Sequence, residues 1–263
     1  MKKIVVLLPT YNEVDNIEDS VEGILKQEKK MKGWGIEILI VDSGSLDGTA
    51  QVAKKLALKN PKIHTITVGR GLGVGLIKGH LYAIKHFHPQ ILAQIDSDGQ
   101  IEYDVLPKLV KTIEDGEDGY DLALGSRFIK GGKNQISLPG RFFSKCSSWF
   151  CKLVIGPSSI HEFNTLTRAF TPELFKKINL ERLPWKEQTF IVQPAFLNEA
   201  ILAGARYKEV PIICRERLNN YSKNKIISYT YDVIAYALDA RFKKWCLAIP
   251  LFKTSRKLKS IIK

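Results

Sequence analysis

The chain has 263 residues, 44% of them hydrophobic and 25% charged, enough apolar material for one large globular domain with an appendage. Its formal net charge of +13 and pI near 9.5 favour an anionic partner: nucleic acid, a membrane surface or a phosphorylated substrate. No apolar run approaches the roughly 20 residues needed to cross a bilayer, and the four cysteines lack CxxC spacing and nearby histidine clusters, which argues against zinc and for reduced, mostly buried thiols.

The opening "MKKIVVLLPTYNE" carries two lysines and a short apolar run. That run ends at Pro9 with no small-residue cleavage site behind it, so a first strand explains it better than a signal peptide. Short runs rich in Val and Ile then recur as predicted strands at 4–9, 36–42, 63–68, 91–96 and 120–125. Helical spacing with many lysines fills the intervals near 15–28, 47–59, 73–87 and 103–114. Continuous apolar strands alternating with helices imply an α/β fold, with a mainly parallel, Rossmann-like sheet covered on both faces. Such sheets bind ligands beyond the carboxyl ends of their strands. Every candidate motif falls at one of those ends.

After residue 126 the pattern changes. "GSRFIKGGKNQ" reads as a loop, 141–155 as an aromatic-rich helix, and "NTLTRAF" as a strand before a helix opened by Thr171-Pro172. "IVQPAFLNEAILAGA" reads as a helix despite Pro194, and "RYKEVPIICRER" as a further strand. The last forty residues read as helices, "IISYTYDVIAYALDARFKKW" and "TSRKLKSIIK", with apolar, aromatic and basic side chains together. That mixture suits a helix in the interface of an anionic membrane, or one packed on the main domain with a solvated basic face. The division expected is 1–225 for the main domain and 226–263 for a basic amphipathic appendage.

Three stretches carry chemistry. "LLPTYNE" leaves the first strand with Pro9, Tyr11 and Glu13, a set that suits either a turn opening a helix or a holder for a base and ribose. "IVDSGSLDGT" ends the second with Asp42, which is either part of a helix N-terminus or a carboxylate aimed at a nucleoside. "QIDSDGQ" ends the fourth with Asp96 and Asp98 one residue apart. These are either a solvated turn or ligands for a hard divalent cation shared with a phosphorylated substrate. The glycines of "GRGLGVG" alternate and fit neither GxGxxG nor a Walker loop. They read as a flexible loop over a ligand, with Arg70 near a phosphate.

The order "LLPTYNE", "VDSGSLDGT", "DSDGQ", "GSRFIKGG", then "EFNTLTRAF", "GARYKEVPI" and "RLNNYSK" resembles the family 2 glycosyltransferases of GT-A fold, over roughly residues 1–225. Within that family it is most similar to the polyprenyl (dolichyl) phosphate mannose synthase and glucosyltransferase group. The resemblance implies an inverting transfer of sugar from a nucleotide-diphosphate donor to a polyprenyl phosphate. Many relatives carry transmembrane segments beyond the C-terminal segment, and their absence here suggests an enzyme peripheral to the cytoplasmic membrane face, or one recruited by a partner. The resemblance also implies Mg²⁺ or Mn²⁺ on Asp96, Asp98 and Gln100. It places Arg127 and Arg141 near the reacting phosphates, with Arg217 and Lys223 in "RLNNYSK" beside the donor. Asp98, Arg127 and Glu162 are the implied catalytic set.

This chain departs from the family pattern at three places. Ser43 stands where a second acid is usual, Lys78 is displaced from the glycine loop, and Glu162 stands where Asp is usual. Glu162 has two roles open to it: general base for a hydroxyl acceptor, or a positioning carboxylate for an acceptor phosphate that is already ionised. A saccharide acceptor and a catalytically silent homologue that only binds nucleotide sugar are the competing readings. A nucleic-acid-binding role follows from charge alone and has no motif behind it.

Overall fold

The computed structural model describes residues 1–114, 119–154, 156, 159–183, 191–216, 232–236 and 238–241. "RLNNYSK", with Arg217 and Lys223, lies outside the described residues, as does most of the C-terminal appendage.

Five strands and four helices alternate along the first half: β1 (Lys2–Thr10), α1 (Ile17–Leu25), β2 (Trp34–Asp42), α2 (Thr49–Lys59), β3 (Ile63–Thr67), α3 (Leu72–Phe87), β4 (Ile91–Gln94), α4 (Val105–Glu114) and β5 (Leu122–Ser126). The second half adds β6 (Lys133–Asn134), α5 (Leu138–Val154), β7 (Arg168–Phe170), α6 (Pro172–Lys177), α7 (Val192–Leu202), β8 (Tyr207–Pro211) and β9 (Ile213–Cys214). The main sheet runs β3-β2-β1-β4-β7-β5-β8, and β6 pairs with β9 in a separate ribbon. All neighbours in the main sheet are parallel except β7, which is antiparallel to both β4 and β5.

The two faces follow from the period of two along a strand. Ile4, Val6 and Leu8 of β1 join Ile36, Ile38 and Ile40 of β2 under α1, α2 and α4. Val5 and Leu7 join Leu39 and Val41 against α3, α6 and α7. Because both faces are buried, the strands read as unbroken apolar runs. Helix α3 lies close on the sheet because Gly79 has no side chain. A Cβ there would come 2.5 Å from Leu7 Cδ1 and 2.9 Å from Val41 Cγ2.

The chain passes from β1 to β2 to β3 on one side and returns to β4 on the other side of β1. The strand order therefore reverses between β1 and β4, and a crevice opens at their carboxyl ends. Thr10 and Asp42 face each other across the ends of β1 and β2.

Four expectations need correction. The strand in "NTLTRAF" is only Arg168–Phe170, and it runs against its neighbours. "RYKEVPIICRER" forms two strands in different sheets. The supposed loop 125–135 contains β6, because Lys133 and Asn134 pair with Ile213 and Cys214. Half of the glycine stretch is helix, since Gly73 and Gly75 sit buried in the first turn of α3. The Thr171-Pro172 start is as the sequence suggests: the Thr171 hydroxyl accepts from Leu174 N at 3.2 Å, with Pro172 at the first helical position. Residues 232–236 and 238–241 are helical, with Val233 buried in the core and Asn198 Nδ2 donating to the Tyr236 hydroxyl at 3.3 Å.

Candidate active site

Two loops at the ends of β1 and β2 are laced together by side chains binding backbone. The buried Asp42 carboxylate accepts from Gly44 N and Ser45 N at 3.1 Å each and from the Ser45 hydroxyl. Asn12 N donates to Ser45 Oγ at 2.9 Å, and Leu46 N donates to Asn12 Oδ1 at 2.9 Å. Asp47 accepts from Val14 N at 3.1 Å and from Thr49 N at 3.0 Å, while Glu13 N donates to Thr49 Oγ1 at 2.9 Å. Burial raises the Asp47 pKa, but the bonds from Thr49 and Val14 outweigh it and hold the carboxyl below its usual range. Asp47 pins one loop to the other. Its place two residues before Thr49 is the sequence signal for that role.

Glu13 is buried and takes a hydrogen bond from Asn16 Nδ2 at 2.9 Å. Arg70 lies over the Tyr11 ring, 5.1 Å from its centroid, a cation–π contact that brings two of the sequence candidates together. Pro9 is held through its carbonyl, which accepts from Ser97 Oγ at 2.9 Å.

That last bond ties β1 to the acidic loop after β4. Ser20 Oγ donates to Ser97 O at 3.0 Å, and the Tyr103 hydroxyl donates to Ser20 Oγ at 2.7 Å. The backbone between Asp96 and Asp98 is thus gripped from two sides. Gly99 turns the chain with φ +69°, a left-handed conformation suited to glycine, and Gln100 N donates to Asp98 Oδ1 at 3.1 Å. Gln100 Nε2 donates to Arg215 O at 3.0 Å, and Arg215 N donates to Gln100 O at 2.8 Å. Burial, then the charges of Asp98 and Asp96, push the Tyr103 hydroxyl up.

The donor set here is all oxygen: two carboxylates one residue apart and an amide whose nitrogen is committed to Arg215 O. Such a set suits a hard divalent cation that takes its other oxygens from a substrate diphosphate and water. Among the described residues, no group of three or more His, Cys, Asp or Glu side chains converges on one point.

Across the crevice Arg127, just past β5, makes a two-pronged ion pair with Glu162: Nε to Oε2 at 2.7 Å and Nη2 to Oε1 at 2.9 Å. Glu162 is fully buried and also accepts from Asn164 N at 3.0 Å and Ser148 Oγ at 3.4 Å. Its segment is fixed by Glu209 of β8, which accepts from His161 N at 3.1 Å, Glu162 N at 3.0 Å and His161 Nδ1 at 2.8 Å. Burial pulls the Arg127 pKa down, but Glu162 more than reverses this and holds the guanidinium above its ordinary value.

Cys214 of β9 is pushed up to about 11 by burial. Arg127 opposes that shift, while Asp96, Asp98 and Glu162 add to it. These five groups therefore share one electrostatic neighbourhood, assembled from four separate stretches of chain.

Beneath it lies a buried polar layer around Arg168. Arg168 Nη1 donates to Gln193 O at 3.3 Å, Nη2 donates to Thr165 O, and its guanidinium sits 5.3 Å from the Phe196 centroid. Burial lowers Arg168 to about 10, against the pull of Glu162 and Asp96. Gln94 Nε2 donates to His80 Nε2 at 2.7 Å. Burial, then Arg168, pushes His80 down to about 3, so it is neutral at pH 7. Arg141 stands apart on the exposed first turn of α5, where its Nε donates to Ile136 O at 2.8 Å.

The sheet with its one reversed strand and a crevice holding paired acids and a buried arginine defines an α/β protein of GT-A fold. The chain belongs to glycosyl transferase family 2, whose sequence profile matches residues 5–196. It is a glycosyltransferase.

Among similar proteins, polyprenol monophosphomannose synthase of Mycolicibacterium smegmatis is 30% identical over 227 residues, spanning 84% of this chain and 81% of that protein. Undecaprenyl-phosphate mannosyltransferase of Micrococcus luteus is 27% identical over 225 residues, spanning 84% and 87%. Dolichol-phosphate mannosyltransferase of Pyrococcus furiosus is 36% identical over 132 residues, half of this chain and 35% of that protein. Among solved structures, glucosyl-3-phosphoglycerate synthase from Mycobacterium tuberculosis, in complex with Mn²⁺, UDP and glucosyl-3-phosphoglycerate, superposes with a TM-score of 0.66 at 20% identity. The match covers 91% of this chain and 80% of that one, and it bears on the fold.

Proposed function

We propose that the protein transfers a sugar from a nucleotide-diphosphate donor to a polyprenyl phosphate, with inversion, at the cytoplasmic face of a membrane. The observation that carries the acceptor class is Glu162. Both of its oxygens are engaged by Arg127 and the carboxylate itself is fully buried, an arrangement that suits a carboxylate that positions rather than one that abstracts a proton. A hydroxyl acceptor needs a base as it attacks, whereas a phosphate acceptor is already ionised. The names of two relatives that align along most of this chain, a polyprenol monophosphomannose synthase and an undecaprenyl-phosphate mannosyltransferase, support the same class.

In this reading an acceptor phosphate oxygen attacks the anomeric carbon as the bond to the nucleoside diphosphate breaks, and that bond's electron pair leaves with the diphosphate. Tyr11, Arg70, Pro9, Glu13 and Asp42 hold the nucleoside side of the donor, in a groove kept in shape by the bonds between the first two loops. Asp96, Asp98 and Gln100 would hold Mg²⁺ or Mn²⁺, which would supply positive charge against a leaving diphosphate. Arg127, fixed by Glu162, stabilises the same charge from the far side, where a preorganised cation acts without reorganising. Arg217 and Lys223 supply further positive charge to the phosphates. Residues 1–225 carry donor and acceptor centres, and the described residues 232–236 and 238–241 of the basic appendage pack on that domain through Val233 and Tyr236.

The test is calorimetric titration with GDP, UDP and their sugar conjugates, with and without Mn²⁺, on the parent and on Asp98→Ala. Binding of one nucleotide that needs Mn²⁺ and is lost in the variant is expected. Absence of binding at millimolar nucleotide overturns the reading and leaves a homologue that has lost its donor site, for which Ser43 is the visible cause.

A further inference from the structure

Helix α5 is inside out by the usual rule for a helix on a globular domain. Its buried side chains are Ser147, Ser148 and Cys151, and both serine hydroxyls meet Asn164 Nδ2, at 3.2 and 3.1 Å. Its outward side chains are large and apolar: Leu138 is 73% exposed, Phe142 66%, Trp149 64% and Leu153 65%. At about 100° per residue, these four and the exposed Cys146 fall within an arc of about 80°. Arg141, Lys145 and Lys152 fill the adjoining arc of about 40°, and the helix contains no acidic residue. Apolar side chains exposed singly are ordinary, but a continuous stripe marks a surface that meets something apolar.

We propose that this stripe is a docking surface for an anionic lipid bilayer, with α5 lying in the boundary between headgroups and acyl chains. Tryptophan and phenylalanine on one face with cations beside them are what such a boundary selects, and lysines near an anionic surface add attraction. Charge argues against other occupants. A second copy packed face to face would set Arg141, Lys145 and Lys152 against themselves, and the chain's own C-terminal segment, with Lys243, Lys244, Lys253, Arg256, Lys257 and Lys259, carries the same sign.

Position agrees with charge. The inner face of the same helix touches Glu162 through Ser148, so a bilayer on the outer face lies about one helix diameter, roughly 10–12 Å, from the Arg127–Glu162 pair. That places the headgroup layer where a lipid phosphate would enter. The inference rests on the lipid-acceptor reading for the choice of surface, but its test does not depend on sugar transfer.

Cys146 provides the probe, because it is exposed on the stripe while Cys151 and Cys214 are buried. The full-length protein carrying Cys246→Ser is spin-labelled at Cys146 and mixed with phosphatidylcholine vesicles, with or without about 30% phosphatidylglycerol. With the anionic vesicles, collisions with oxygen are expected to rise and collisions with a water-soluble nickel chelate to fall. The Phe142→Ser/Trp149→Ser variant is expected to lose at least about tenfold in vesicle partitioning while keeping its circular dichroism and donor binding. A label that stays equally open to water with both vesicle types overturns the proposal. So does a label already shielded without lipid, with spin–spin broadening identifying a second copy as the cover. Docking without transfer to a lipid phosphate leaves this inference standing and overturns the acceptor reading. Transfer without docking does the reverse.

Discussion

Replacing Glu162 with Gln keeps the side chain's shape and removes its charge, which isolates the role of the Arg127–Glu162 pair. In the folded protein the Glu162 side chain is 0% exposed and that of Arg127 11%. The substitution therefore leaves a largely buried guanidinium facing a neutral amide in place of its carboxylate partner. Breaking one side of a buried pair costs about 3–5 kcal/mol. For a chain of this size about 3 kcal/mol corresponds to a fall of roughly 6–12 °C in Tm. Arg127→Met should lose a similar amount, because it strands the carboxylate instead. The double variant removes both charges, so it should lose at least about 1.5 kcal/mol less than the sum of the singles. Urea unfolding followed by circular dichroism measures the cycle. In turnover, Glu162→Gln should lower kcat by about 10²-fold through a misplaced Arg127 without deleting the acid limb of the pH–rate profile. Additive stability losses, within about 0.5 kcal/mol, refute the coupled pair, and loss of the acid limb refutes the positioning role.

Other perturbations probe the supports of the site. His80 has its folded pKa depressed to about 3 by burial and Arg168, so its contribution is fully present above the unfolded value of about 6.5 and is lost as pH falls toward 3. Between pH 6.5 and 4.5 that amounts to roughly 2–3 kcal/mol, and His80→Gln should show a correspondingly shallower loss of stability in urea titrations across that range. Asp47 has its folded pKa lowered by its hydrogen bonds, so the Tm gap between parent and Asp47→Asn should be widest above the unfolded carboxylate pKa and close as pH falls through the folded one, read by scanning calorimetry. Gly79→Ala should cost about 1–3 kcal/mol by overpacking, since its new Cβ meets Leu7 and Val41. A Tm unchanged by that substitution shows that α3 is free to move off the sheet.

Strand identity in the first half was legible because β1, β2 and β4 are buried on both faces, and their unbroken apolar runs end at polar loops that mark the carboxyl ends. Reversed β7 was not legible. Only Arg168, Ala169 and Phe170 pair, and nothing local in three residues records strand direction. Likewise β6 exists because Lys133 and Asn134 meet Ile213 and Cys214 some eighty residues later, a tertiary event without a local pattern. At the site, the motifs gave Asp96, Asp98 and Arg127 at strand ends. That Glu162 points at Arg127, and that Glu209 holds the segment beneath it, depends on strand order that no spacing encodes. His80 and Gln94 looked like ordinary members of a helix and a strand. Their pairing becomes visible only once α3 lies on the sheet.

The central claim, transfer of sugar to a lipid phosphate, is tested most directly by offering the protein a nucleotide sugar with Mn²⁺ and either a polyprenyl phosphate or a panel of saccharide acceptors, and identifying the products by mass spectrometry. The account predicts a glycosyl phosphate lipid with the first acceptor, lost in Asp98→Ala, and no product with the saccharides. Saccharide product with none on the lipid phosphate contradicts it, and makes proton abstraction from a hydroxyl the chemistry to explain.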